Sequence, residues 1–161
     1  MKFKSRIFSS LVLMTGMFVS AANAADESSG MVVASRGEVS ALANGTSREL
    51  KQGDFIYVND QIQTGARSFA VLQFTDGAKV TVRPDSKLVI ETYLYAGNDS
   101  DEATLSLVSG GLRVITGAMA KTHPENYKVR TPVALMGVRG TEFSIQLCGD
   151  QVCAEDQVEL N

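Results

Sequence analysis

The chain has 161 residues, a formal net charge of −3, fourteen glycines, two cysteines and a single histidine. An acidic chain lacks the basic face from which counterion release draws affinity for phosphates, so nucleic acid is excluded as a partner. One histidine excludes every two-histidine metal site, and the length fits one domain with its own core rather than two.

Residues 1–24, MKFKSRIFSSLVLMTGMFVSAANA, place Lys2, Lys4 and Arg6 before an apolar run from Ile7 to Val19 and end on Ala22-Asn23-Ala24. That is the layout of a secretory signal peptide with a small-x-small cleavage site after Ala24. An apolar run of about 13 residues falls short of the ~20 that a spanning helix needs, and no later segment comes closer, so no membrane span is expected in the mature chain. Cleavage removes three of the fifteen basic residues and none of the eighteen acidic ones, which takes the formal charge to −6. The polar stretch ADESSG, residues 25–30, reads as a flexible mature N-terminus.

From Met31 onward the sequence breaks into short runs of alternating apolar residues, among them MVVAS, GEVSAL, FIYV, FAVLQF, AKVTV, KLVIETYLY, TLSLV, LRVIT and EFSIQL. Period-two alternation predicts strands. Turn signals separate them at Asn44-Gly45, Gly53-Asp54, Asn59-Asp60, Thr64-Gly65, Asp76-Gly77, Pro84-Asp85, Gly97-Asn98 and Gly110-Gly111, where glycine and asparagine accept left-handed backbone. Phe69 to Pro84 is the clearest hairpin, and Asp76-Gly77 suits a type I′ turn. No helix longer than a turn or two is expected. The fold class is all-β, a single domain of many short strands, arranged as an irregular β-solenoid or a two-sheet sandwich.

The pieces LKQGDFIYVNDQIQTG, FAVLQFTDGAKVTVRPDSKLVI, LVSGGLRV and VRTPVALMGVRGTEFSI, in this order, resemble the FecR-like domain family, named for a periplasmic regulator of ferric citrate uptake. The likeness runs from about Gly37 to Ile145. It implies an extracytoplasmic all-β domain over residues 31–147 that takes part in signalling through protein contacts. The membrane helix and cytoplasmic sigma-factor-binding segment of those regulators are expected to have no counterpart, since a cleavable leader stands here instead. Gly53, Asp54, Gly65, Asp76, Gly77, Gly137, Gly140 and Thr141 fall on the turns of this pattern.

The closing motif, Thr131 to Ile145, is expected to be two strand segments joined at a corner. Pro132 keeps its predecessor extended, Gly137 and Gly140 permit the bend, and Thr141 restarts the strand. Arg139 is the one residue there that suits a ligand, because its forked donors recognise anions. The bland reading pairs it with Asp54 or Asp76 or with turn carbonyls.

Catalytic chemistry is sparse. His123 sits in the polar loop AKTHPENY and reads as a solvated histidine, and neither a GxSxG nor a phosphate-binding loop occurs. Asp54, Asp60, Asp76 and Asp85 each adjoin turn formers, so turn capping accounts for them better than a paired-carboxylate hydrolase does. GNDSDEAT, residues 97–104, clusters Asp99, Asp101 and Glu102 and offers a weak calcium site, although a solvated hairpin tip explains it as well. Four tyrosines and no tryptophan leave little for a sugar-stacking platform.

Cys148 and Cys153 have four residues between them in a chain addressed to an oxidising compartment, so a disulfide hairpin is expected within the 148–161 tail. The sequence therefore predicts a periplasmic or secreted β-domain without enzyme activity or cofactor. Its partner is a protein or cell-envelope component; a carbohydrate- or calcium-binding module and a hydrolase are the alternatives.

Overall fold

The computed structural model describes residues 27–140 and 142–148. The first strands are β1 (Gly30–Arg36), β2 (Val39–Ala43), β3 (Thr46–Glu49), β4 (Phe55–Ile56), β5 (Gln61–Thr64), β6 (Phe69–Phe74) and β7 (Lys79–Val82). They are followed by β8 (Lys87–Leu94), β9 (Glu102–Ser109) and β10 (Gly111–Ile115). After a helical turn, α1 (Met119–Thr122), and a 3-10 turn (Pro124–Asn126) come β11 (Tyr127–Arg130), β12 (Leu135–Gly137) and β13 (Glu142–Gln146).

These strands form two sheets, β13-β10-β7-β6-β1-β4 and β12-β11-β9-β8-β5-β2-β3. Every pairing is antiparallel except that of β9 with β11. Alternation explains the layering. Ala70, Leu72 and Phe74 of β6 and Val80 and Val82 of β7 are buried while their neighbours Val71, Gln73, Lys79 and Thr81 are not. Ile62, Leu88, Ile90, Leu105 and Leu107 of the second sheet join them in one hydrophobic cluster, where each large aliphatic side chain contributes about 1.5–3 kcal/mol relative to exposure. The molecule is therefore the two-sheet form of the expected all-β fold, with no closed barrel.

Local irregularities position Tyr93 and Asp76. The register of β8 against β9 shifts between Ile90 and Thr92, and this bulge changes the phase so that Tyr93 rather than Thr92 turns into the core. The turns also differ from expectation. Asn44 (φ 50°) and Gly45 (φ 77°) between the paired Ala43 and Thr46 form the two-residue left-handed turn. At Asp76-Gly77 only the glycine is left-handed, at φ 86°, and the hairpin closes through Gly77 N–H to Phe74 O at 3.0 Å and Phe74 N–H to Ala78 O at 2.9 Å. This is a three-residue loop, not a type I′ turn. Asp76 turns its carboxylate inward to accept the Ala78 N–H at 2.9 Å, and the left-handed conformation falls on the glycine, which has no Cβ to oppose it.

Around the closing motif the described chain passes from one sheet to the other. Pro132 to Leu135 is an exposed hairpin tip rather than the start of a buried strand, held by Thr131 Oγ1, which accepts the Ala134 N–H at 3.0 Å. After the buried Val138 the chain leaves the seven-stranded sheet and enters the six-stranded one, where β13 pairs with β10. Gly140, at φ 136°, makes that crossover, and its carbonyl accepts a hydrogen bond from Thr116 Oγ1. Gly137 does not bend the chain. It pairs with Lys128 inside β12, lacks a positive φ, and has open space where a Cβ would stand.

Candidate functional site

The side chains singled out in the sequence are dispersed. Asp54 Oδ2 accepts the Lys51 N–H at 2.7 Å across an exposed turn that Gly53 (φ 95°) closes, and the Gly65 N–H donates to Glu38 O at 3.0 Å. Asp76 is buried under three donors, adding the Tyr93 hydroxyl at 2.6 Å and the Met119 N–H at 3.3 Å to Ala78. Arg139 is exposed beside Ala120, Lys121 and Pro124. Among the described residues it pairs with neither Asp54 nor Asp76, because the first caps its own turn and the second is already satisfied inside the fold. Cys148 is half-buried at the end of the described chain; its expected partner Cys153 and the turn residue Thr141 lie outside the described residues.

The GNDSDEAT segment joins β8 to β9 as a hairpin tip, yet it is not simply solvated. Asp101 is 1% exposed, and its Oδ1 accepts the N–H groups of Ala96 at 2.7 Å and Gly97 at 3.0 Å. Burial opposes ionisation of this carboxyl, but the amides of Ala96, Asn98 and Gly97 and the nearby His123 prevail and hold it below the usual carboxylate range. Asp99 meets His123 Nε2 at 3.4 Å and Glu102 meets Lys128 at 3.9 Å. The three acids thus share no hydrogen-bond or salt-bridge partner, and no cluster of three His, Cys, Asp or Glu side chains suited to a metal occurs among the described residues. His123, with 22% of its side chain accessible, is packed between α1 and the 3-10 turn rather than free in solvent.

A different place gathers side chains from both sheets. At one end of the sandwich the β2–β3 turn, the β4–β5 loop, the β6–β7 turn and the end of β8 surround a cleft of about 390 Å³. Tyr57, Tyr93 and Tyr95, three of the four tyrosines in the chain, line it together with Asn44, Asn59 and Thr75. Glu27 and Ser28 stand at its rim, and Glu27 is the one carboxyl among its described lining residues.

Each tyrosine is fixed by something behind it. The Arg48 guanidinium lies 5.6 Å from the Tyr57 ring centroid and is itself tied to the buried Asp60 at 2.5 Å, which also accepts the Tyr57 N–H at 2.9 Å. Burial pushes the Asp60 carboxyl above its ordinary value, against the lowering effect of the Tyr57 amide and Arg48. Tyr93 stacks on Phe74 with centroids 4.2 Å apart and donates its hydroxyl to Asp76; burial first, then the neighbouring Tyr127 and Asp76, drive its pKa far above the usual phenol range. Tyr95 packs partly buried against the core.

The two asparagines are placed by backbone need, since both are left-handed, at φ 50° and 69°. Neither carboxamide is engaged in a hydrogen bond within the described structure. Sequence reasoning flagged both asparagines as turn formers and set the tyrosines aside by their number. The missing signal was position: Tyr57, Tyr93 and Tyr95 all lie within a few residues of turns that the fold brings to one end.

A family model described as FecR protein matches residues 60–158. No curated protein and no solved structure matches the chain.

Proposed function

The chain belongs to the FecR protein family, and from that premise we propose that it is an exported, non-catalytic β-domain that binds a protein of the cell envelope within a signalling relay. The family is one of signalling-related periplasmic regulators and is not enzymatic. The observation that carries the reading is the edge of the seven-stranded sheet at β12, which no described strand covers. Leu135 of β12 is 60% exposed and Val133, in the hairpin tip that leads into it, 88%, and no charged residue falls between Arg130 and Arg139. Edge strands that must stay unpaired are normally guarded by charge, as β3 is by Arg48 and Glu49. An apolar edge that no described strand pairs instead suits an added strand from a partner, with main-chain bonds for affinity and Leu135, beside Val133 of the adjoining tip, for side-chain contact.

The buried carboxylates support absence of catalysis, since Asp60 and Asp76 are consumed by Arg48, Tyr93 and backbone amides. The test is capture of partners from an envelope extract on immobilised protein, comparing the unmodified chain with Leu135→Lys. The charge should abolish capture while leaving the melting temperature unchanged, because Leu135 is exposed. Equal capture by both proteins would remove β12 from the interface.

A further inference from the structure

We propose that the tyrosine-lined cleft at the end of the sandwich is a binding site for a neutral saccharide, separate from the β12 edge. Its composition narrows the ligand by elimination. Among the described residues no lysine or arginine lines it and Glu27 stands at its rim, so an anion such as a phosphate or a uronic acid meets no opposite charge there. One carboxylate without further acidic or histidine partners does not make a cation site. A purely apolar ligand would match the tyrosines but not Asn44, Asn59 and Thr75, which line the cleft with them. A sugar ring answers both halves of the lining: its C–H faces lie on aromatic rings while its hydroxyls exchange hydrogen bonds with amide groups that both donate and accept.

The site is also preorganised, which lowers the cost of binding. Arg48 holds Tyr57, the β8 bulge and Asp76 hold Tyr93, and backbone conformation rather than a side-chain bond fixes Asn44 and Asn59. The cleft volume lies within the range of small-molecule sites, roughly 300–1,000 Å³.

The chain contains no tryptophan, so its intrinsic fluorescence comes from tyrosine and reports mainly on this cleft. The experiment titrates the folded, leader-free protein with maltotriose, cellotriose and chitotriose, and with choline as a contrasting probe. Saturable change in tyrosine emission with at least one saccharide is expected. It should weaken by about tenfold or more in Asn44→Gly/Asn59→Gly, a variant that keeps the left-handed turns because glycine adopts them freely. Tyr95→Ala should do the same if its melting curve shows it folded, whereas Leu135→Lys should bind normally. The proposal fails if none of the three saccharides saturates, or if the double asparagine variant binds undiminished. Tighter binding of choline than of every saccharide would also overturn it, by showing that the tyrosines form a cage for a quaternary ammonium group.

Discussion

Asp60 and Arg48 show how one pair sets both the stability of a loop and the shape of the cleft. Asp60 is 1% exposed, and its pKa is raised by burial even with Arg48 and the Tyr57 amide in place. A carboxyl with a raised folded pKa binds its proton more firmly when folded. Its contribution to stability is therefore greatest in acid and declines as pH rises from the unfolded value through the folded one. Replacing Arg48 by Met removes the compensating charge and widens that window. Arg48→Met should cost roughly 2 kcal/mol at pH 7, below the range for a fully enclosed pair because the arginine side chain is 36% exposed. The loss should shrink as pH falls toward 4. Urea unfolding at both pH values measures it, and a loss independent of pH would show that Arg48 acts through packing on Tyr57 alone.

At the scale of elements, the crossover between β12 and β13 separates two glycines that look alike in sequence. Gly140 has φ 136° and no crowding, so Gly140→Ala or Gly140→Val should cost roughly 1–3 kcal/mol through backbone strain alone. Gly137 has an ordinary strand conformation and open space, so Gly137→Ala should be neutral or slightly stabilising. Arg139→Lys should have little effect, since the side chain is exposed. Thermal melts of these four variants decide this; equal melting of Gly140→Val and the unmodified chain would mean that the crossover tolerates a side chain in that conformation.

The β8–β9 tip provides a second contrast, because the segment that looked most like a calcium loop has its acids committed to Ala96, Gly97, His123 and Lys128. Added calcium should therefore leave the melting temperature unchanged, as a ligand that binds only the folded state must raise it. A rise abolished by Asp99→Asn, Asp101→Asn and Glu102→Gln together would identify this tip as a calcium site after all.

Strand alternation made the two layers legible in the sequence, from FAVLQF and AKVTV especially, because burial on one face imposes period two. What stayed hidden depended on distance in the chain: the β8 bulge that turns Tyr93 inward, and the meeting of residues 44, 57, 75 and 95 at one end. No local pattern records such a convergence. It arises only when two sheets stack and bring their loops together.

For the whole molecule, compartment and cross-link stand or fall together. A leader over residues 1–24 would send the chain where thiols oxidise, and Cys153 follows Cys148 by five positions. A bridge there closes so short a loop that the chain-entropy model assigns it about 2 kcal/mol, and it would anchor the end of an edge strand whose inner side packs Phe143 and Ile145 against the core. The mature protein recovered from the periplasm or medium should begin at Ala25 by N-terminal sequencing. Its intact mass should rise by two hydrogen masses on reduction, with both thiols then open to alkylation. Reduction should lower the melting temperature modestly while the β-sheet circular dichroism persists, because the two-sheet core does not depend on the bridge. A chain recovered in the cytoplasm from Met1 with two free thiols would overturn the compartment and the cross-link at once, and would leave the β12 edge and the tyrosine cleft to be tested against cytoplasmic partners.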